Sequence, residues 1–209
     1  MSYVEFVGTL LYLWSVWLMA KSRILTWPVG IVSVLLYMMI FYQIRLYSDA
    51  FEQVYYLGAS AYGWWRWSKA SQEKTGKELP LKFSSSGIIL STAGITIVIS
   101  IAAGLLVSRL HILSPSFFPE KASYPYLDAL TTMMSFTAMF LMTVKRIESW
   151  IYWIIVDIIG IWLYYVKEVR FIALLYAVLL VMASNGLVMW MKQARETSGK
   201  KTGKEKQSA

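Results

Sequence analysis

The chain has 209 residues, of which 57% are hydrophobic and only 15% charged, with a formal net charge of +8. A soluble domain is roughly 45–50% apolar and about 25% charged, so these proportions exclude an ordinary soluble protein and point to an integral membrane protein. The absence of cysteine excludes disulfides and thiolate metal sites, and the positive charge is read as membrane orientation, not as nucleic-acid binding.

Met1-Ser2-Tyr3-Val4-Glu5 lacks a basic leader region and no small-residue cleavage site follows, so the first apolar run is expected to be a retained span. Seven runs have the length needed to cross a bilayer as helix: residues 4–20, 24–42, 50–67, 87–107, 127–144, 150–166 and 171–191. Residues 68–86 are polar and punctuated by Ser and Gly, which predicts a connecting loop. Residues 108–126 hold Pro115, Pro119 and Pro125 and predict a second loop. The tail, residues 192–209, is basic, and disorder is expected beyond about Ser198.

Lys and Arg are distributed unevenly between the two sides that these spans define. One side collects 15, namely Lys21, Arg23, Arg66, Lys69, Lys74, Lys77, Lys82, Lys145, Arg146 and six in the tail. The other has 5, Arg45, Arg109, Lys121, Lys167 and Arg170. The basic side is expected in the cytoplasm, which puts the N-terminus outside and the C-terminus inside.

The sequence also repeats itself at an offset of 123, which relates Trp27 to Trp150. The same register pairs Tyr3 with Tyr126, Thr9 with Thr132, Leu18-Met19 with Leu141-Met142 and Arg23-Ile24 with Arg146-Ile147. It continues through Ile31 and Ile154, Tyr42 and Tyr165, Gly63 and Gly186, and Trp67 and Trp190. Internal repetition of this kind predicts two three-helix units, residues 1–67 and 127–191. Residues 68–126 then hold the loops and a linker span at 87–107. One linker span returns the second unit in the same orientation, a parallel repeat of the kind found in transporters. A duplicated scaffold without transport is the alternative.

Within the sixth run, Trp150, Trp153 and Asp157 follow a spacing that places them on one helix face. A carboxylate at that depth costs roughly 3 kcal/mol on insertion scales, and indole faces attract cations. The stripe reads as a pocket for a flat cation, or else as an aromatic packing face whose aspartate bonds a neighbouring helix. Glu5 and Asp128 start their spans, where capping competes with ligand contact, and Glu52 lies in a first turn where the helix dipole competes with a pocket role. Gln53, Ser33 and Asn185 offer hydrogen bonds to a polar ligand. Tyr37 and Tyr47 are candidates to line a pathway, or to sit in the interfacial belt.

Taken together, these residues closely resemble the PnuC family of bacterial vitamin transporters, up to about Met191. The resemblance is carried in the first half by Trp27-Pro28-Val29-Gly30, Phe41-Tyr42-Gln43-Ile44-Arg45-Leu46-Tyr47, Gln53 and Tyr62-Gly63-Trp64-Trp65-Arg66-Trp67. In the second half it is carried by Tyr124-Pro125-Tyr126-Leu127-Asp128, Leu141-Met142, Trp150-xx-Trp153 and Asn185-Gly186 with Trp190. It implies an all-α, SWEET-like three-plus-one-plus-three fold, a homotrimer in the bacterial inner membrane, and vitamin uptake by facilitated diffusion. A cytosolic kinase would trap the substrate by phosphorylation. Nicotinamide riboside, which feeds NAD biosynthesis, is the first substrate it implies, and thiamine is the alternative. The expected substrate-binding set is Trp150, Trp153, Asp157, Gln53, Glu52, Ser33, Asn185 and Tyr37. Three positions depart from the riboside branch: Asp157 stands where Asn is usual, Asn is often found near the position of Ser33, and Glu52 stands where an apolar residue is frequent.

No enzyme, cofactor, metal or nucleic-acid partner is expected. His111 is the single histidine and lies in no triad or ligand pattern. The Gly-Lys pairs at Gly76, Gly199 and Gly203 lack the other residues of a phosphate loop. A channel or a vitamin-sensing receptor is the remaining class, and saturable uptake separates a carrier from both.

Overall fold

The computed structural model describes residues 3–43, 47–72, 79–116 and 121–207. Arg45, Lys74, Lys77, Gly76 and Pro119, which entered the sequence reading, lie outside them. The fold is all helical: α1 (Tyr3–Ala20), α2 (Thr26–Gln43), α3 (Tyr47–Gln72), α4 (Ser86–Leu113), α5 (Pro125–Thr143), α6 (Ser149–Val166) and α7 (Arg170–Gln207). An apolar chain in lipid satisfies its backbone only within helices or closed barrels. Five of these, α1, α2, α4, α6 and α7, are long and apolar enough to cross a membrane. The other two have 26 and 19 residues, but Asp49, Glu52, Arg66 and Lys69 dilute α3, and Asp128 and its Ser/Thr content dilute α5.

Three boundaries differ from the sequence reading. The loop expected at 68–86 begins later, because Ser68-Lys69-Ala70-Ser71-Gln72 contains no Gly or Pro and α3 continues through it. The loop expected at 108–126 is shorter, since α4 runs to Leu113 and α5 starts at Pro125, a residue suited to a first turn. The tail expected to be disordered continues α7 as helix to Gln207; residues 192–207 hold no proline, and Lys, Gln and Glu, all good helix formers, make up nine of the sixteen.

Helix ends are set locally. At the end of α1, Ser22 has φ 54°. Its N–H donates to Met19 O at 2.9 Å, and that of Arg23 donates to Leu18 O at 3.0 Å. This is a left-handed C-terminal cap that closes two orphan carbonyls. At the end of α5, Lys145 also has φ 54°, and the N–H groups of Lys145 and Arg146 donate to Met142 O and Leu141 O, both at 3.0 Å. The two turns stand 123 residues apart and share the same bonds. Glu168, φ 60°, ends α6 in the same way.

Six helices close a ring in the order α1, α2, α3, α5, α6, α7, each touching the next and α7 touching α1. α4 packs on α5. It does so through a stripe of small residues four apart, of which Thr96, Ser100 and Gly104 are buried. Thr96 shares a hydrogen bond with Thr137 of α5 at 2.9 Å.

One end of the ring, the end with the two matching turns and most described Lys and Arg, holds the main core. Trp27, Trp67, Trp150 and Trp190 meet there with Met19, Ala20, Met142, Ile147 and Ala183. Trp27 meets Trp67 edge-on at 5.2 Å, and Trp150 meets Trp190 edge-on at 5.5 Å. The Trp67 indole donates to Thr143 O and the Trp190 indole to Met19 O, both at 3.1 Å. Gly63 and Gly186 leave room for the rings of Trp27 and Trp150: a Cβ on Gly63 would lie 2.4 Å from Trp27, and one on Gly186 2.7 Å from Trp150. Residues 79–85 strap this end. Leu79 and Leu81 pack on the core, Ile147 N–H donates to Lys82 O at 3.2 Å, and the buried Glu148 carboxylate accepts from Ser84 N–H at 3.2 and 3.3 Å.

Gly186→Ala is therefore expected to destabilise the protein by about 1–3 kcal/mol, the usual cost of overpacking, and to lower its melting temperature in detergent. Gly94→Ala, with nothing within 4 Å of the added carbon, should not lower it. Equal effects of the two would contradict this packing.

Candidate functional site

The inner face of the ring carries polar side chains that a membrane interior does not tolerate without a reason. On α6, the face predicted from sequence divides by depth. Trp150 is 1% exposed and belongs to the tryptophan core, where its indole N–H has no partner among the described residues. Trp153 is half-buried against the same core. Asp157, midway along α6, is 2% exposed. Among the described residues nothing donates a hydrogen bond to its carboxylate.

Around Asp157 stand phenols from neighbouring helices. Tyr12 of α1 and Tyr176 of α7 both lie within electrostatic reach of it. Tyr176 reaches inward because Gly160, one turn beyond Asp157, leaves space; a Cβ there would lie 2.4 Å from the ring. Tyr176 stacks on Tyr164 of α6 with centroids 5.4 Å apart. From α3, Glu52 accepts a hydrogen bond from Thr132 of α5 at 3.0 Å. Tyr56, one turn along, faces Ser135 of α5 and lies in reach of Glu52, Tyr12 and Tyr176. Five of the six ring helices thus contribute to one tyrosine-rich, acid-bearing lining.

The expected site residues separate on this scaffold. Glu52 and Asp157 join the lining, and Trp153, one turn before Asp157 on α6, packs against the tryptophan core. Ser33 is 1% exposed and donates to Gly8 O at 2.9 Å, tying α2 to α1. The Tyr37 hydroxyl shares a hydrogen bond with Thr9 at 2.7 Å, and its ring lies over Gly8, so it braces the same pair. Gln53 is half-buried on α3 and Asn185 is exposed on α7. The side chain of Tyr47 lies outside those described. Tyr12, Tyr56, Tyr164, Tyr176, Thr132 and Ser135 were missed in the sequence. A signal was available: the offset of 123 relates Gln53 to Tyr176 and Tyr12 to Ser135.

Chemically, the lining can neutralise and stack a flat cation. A buried carboxylate without a partner is costly, and a bound cation would offset that cost, with tyrosine faces adding about 0.5–2 kcal/mol each. Among the described residues no three Asp, Glu or His side chains gather as a metal-ligand set. At the basic end a cavity of about 30 Å³, lined by Ser22, Ile24, Trp67, Ser71, Leu79 and Lys145, has room for roughly one water.

Because Asp157 has no described partner, Asp157→Asn should keep or raise the melting temperature of the ligand-free protein. A fall of several degrees would show that the carboxylate braces a neighbouring helix.

Comparison with known proteins bears on this arrangement. The model of the nicotinamide mononucleotide transporter family matches residues 2–192. The nicotinamide riboside transporter PnuC of Escherichia coli (strain K12) is 28% identical over 212 residues, covering 94% of this chain and 88% of that protein. The riboflavin/roseoflavin transporter RibM of Streptomyces davaonensis is 23% identical over 197 residues, covering 93% and 87%. Among solved structures, the crystal structure of the vitamin B3 transporter PnuC superposes with a TM-score of 0.65 at 22% identity, covering 93% of this chain and 83% of that one. That likeness is one of fold.

Proposed function

The chain belongs to the nicotinamide mononucleotide transporter family, and from that membership we propose that it carries a flat, cationic vitamin across the membrane, nicotinamide riboside first, by facilitated diffusion. The observation that carries this reading is Asp157, a carboxylate 2% exposed, without a hydrogen-bond partner among the described residues and with Tyr12 and Tyr176 within electrostatic reach. A pyridinium placed there supplies the missing countercharge, and Trp153 and Tyr176 supply ring faces. The relative named for riboflavin carries a neutral ring system, to which an unpaired carboxylate offers no such advantage. Thiamine is the second reading. Glu52 and Asp157 are both acceptors suited to an aminopyrimidine, and thiamine also bears a permanent positive charge.

We further propose that residues 1–67 and 127–191 are parallel repeats, with the α4 region between them, in the SWEET-like arrangement. Supporting this, the two left-handed caps stand 123 residues apart, and Trp27 over Gly63 is matched by Trp150 over Gly186 at that offset. The ring contacts also map onto themselves when α1, α2 and α3 are exchanged with α5, α6 and α7. Orientation is assigned by the basic end, which faces the cytoplasm of the bacterial inner membrane. A homotrimer and trapping of the substrate by a cytosolic kinase complete the proposal.

Calorimetry with nicotinamide riboside and thiamine tests it. Trp153→Ala should weaken binding of the true substrate about tenfold to a hundredfold, equivalent to roughly 1–3 kcal/mol. Asp157→Asn, which removes the countercharge, should weaken riboside binding as well; a loss confined to thiamine would mean that the carboxylate serves the aminopyrimidine instead. Unchanged affinity in both variants, with the protein folded, would remove the α6 face from the site. In proteoliposomes the substrate should equilibrate without accumulating; uphill uptake driven by a proton or sodium gradient would overturn facilitated diffusion.

A further inference from the structure

At the basic end of the ring, α3 has two faces of different character. Ser60, Gly63 and Trp67 are buried toward the core, whereas Tyr62, Trp65 and Lys69 are exposed and Arg66 is half-buried. The spacing of residues 62, 65, 66 and 69 puts these four side chains on one stripe, on the outer wall where lipid meets the helix. The stripe is ordered within itself. Arg66 Nη1 donates to the Tyr62 hydroxyl at 3.0 Å, Lys69 Nζ lies 5.5 Å from the centre of the Trp65 ring, and the Tyr62 and Trp65 rings are 5.9 Å apart. Arg66 Nε has no partner among the described residues. The one ion pair among the described residues joins Lys167 to Asp128 at the opposite end, so no described carboxylate neutralises either cation.

Two further observations point outward from the protein. The first is direction. α3 runs toward the basic end, so Tyr62 and Trp65 lie one turn deeper in the membrane than Arg66 and Lys69. A lysine at this boundary ordinarily extends its ammonium toward water; here each cation folds back to its ring, which holds the charge at the level of the headgroups and the aromatic belt. The second is the repeat, which provides an internal control. At the offset of 123 the same four positions on α7 are Asn185, Val188, Met189 and Lys192. That helix closes the ring with one cation and no aromatic ring on the stripe, so the scaffold does not require the arrangement found on α3.

We infer that Tyr62, Trp65, Arg66 and Lys69 form a docking site for one anionic phospholipid, its phosphate held between Arg66 and Lys69. An acyl chain then lies along the outer wall of α3 past Gly58, where an added Cβ would meet nothing within 4 Å. A second copy of the chain fits the charge less well: at the basic end the described carboxylates are Glu148, buried against Ser84 N–H, and Glu196. Bound there, the lipid steadies the end of α3 whose Trp67 ties the two halves together. The site is independent of which vitamin is carried.

Titration of the purified full-length protein in detergent tests this, with native mass spectrometry counting bound lipid and fluorimetry reading the melting temperature. The probes are phosphatidylglycerol, phosphatidylcholine, which has no net charge, and glycerol 3-phosphate, which has the phosphate without the chains. The wild type should bind phosphatidylglycerol in preference to phosphatidylcholine, and of the three only phosphatidylglycerol should raise the melting temperature. Arg66→Gln with Lys69→Gln should weaken phosphatidylglycerol binding about tenfold to thirtyfold and abolish that rise. Lys192→Gln with Arg195→Gln removes the same charge from the same end on α7, and should change binding by no more than about twofold because distant charges are screened. Should the first pair loosen the fold, Lys69→Gln alone, at an exposed position, carries the test with a loss of about fivefold. Equal losses in the two double variants, or equal binding of the two lipids, would overturn the site. So would a rise in melting temperature with glycerol 3-phosphate alone. A changed oligomeric mass in Arg66→Gln with Lys69→Gln, with lipid preference retained, would make the face a contact between copies and overturn lipid docking.

Discussion

Lipid offers no hydrophobic drive for one apolar helix to meet another, so association depends on close packing and on hydrogen bonds between helices. In this protein that requirement is met by two crossed indole bonds. Trp67, at the end of α3, donates to Thr143 O at the end of α5, and Trp190 of α7 donates to Met19 O at the end of α1. Each bond joins one half of the chain to the other. Each also serves a helix that ends in a left-handed cap, where terminal carbonyls need partners. The glycines beneath Trp27 and Trp150 let the rings enter. The ring of six helices hangs from this end.

Closure at the basic end leaves the middle of the ring free to be polar. The tryptophan core and the strap at residues 79–85 supply the packing, so Tyr12, Glu52, Tyr56, Asp157 and Tyr176 need not. The strap also makes the two halves unequal. Glu148, whose carboxylate holds Ser84 N–H, stands at the offset of the exposed Leu25. A buried carboxylate left without a partner is a standing cost to stability, and function is where such costs are retained. The same logic separates Asp157 from Ser33, whose hydroxyl is spent on Gly8 O.

Much of the fold was legible because its signals are strong and local. Apolar runs of bilayer length located seven helices, and a single offset related Trp27 to Trp150 and Arg23-Ile24 to Arg146-Ile147. Boundaries at polar ends were not legible: α3 and α7 continue past the apolar stretch because good helix formers follow it, and hydropathy ends where lipid would, not where the helix does. The site was legible only in part. Asp157 stood out as a rare buried charge, and Glu52 as a carboxylate in an apolar run. The tyrosines did not, because tyrosine is common in membrane helices and only tertiary packing turns Tyr12, Tyr56 and Tyr176 toward one point. Trp150 illustrates the opposite error of emphasis: spacing placed it beside Asp157, whereas packing over Gly186 drew its ring into the core.

We propose that a substrate cation sits against the Asp157 carboxylate, inside the ring and between tyrosine faces. A substrate-bound structure of the protein in lipid nanodiscs measures that directly. The positive ring of nicotinamide riboside or thiamine is expected within about 4–6 Å of the carboxylate, the range over which opposite charges strongly stabilise each other, with Tyr176 or Trp153 on its face. Density for the ligand on the outer face beside Asn185, with Asp157 still unpartnered, would contradict it.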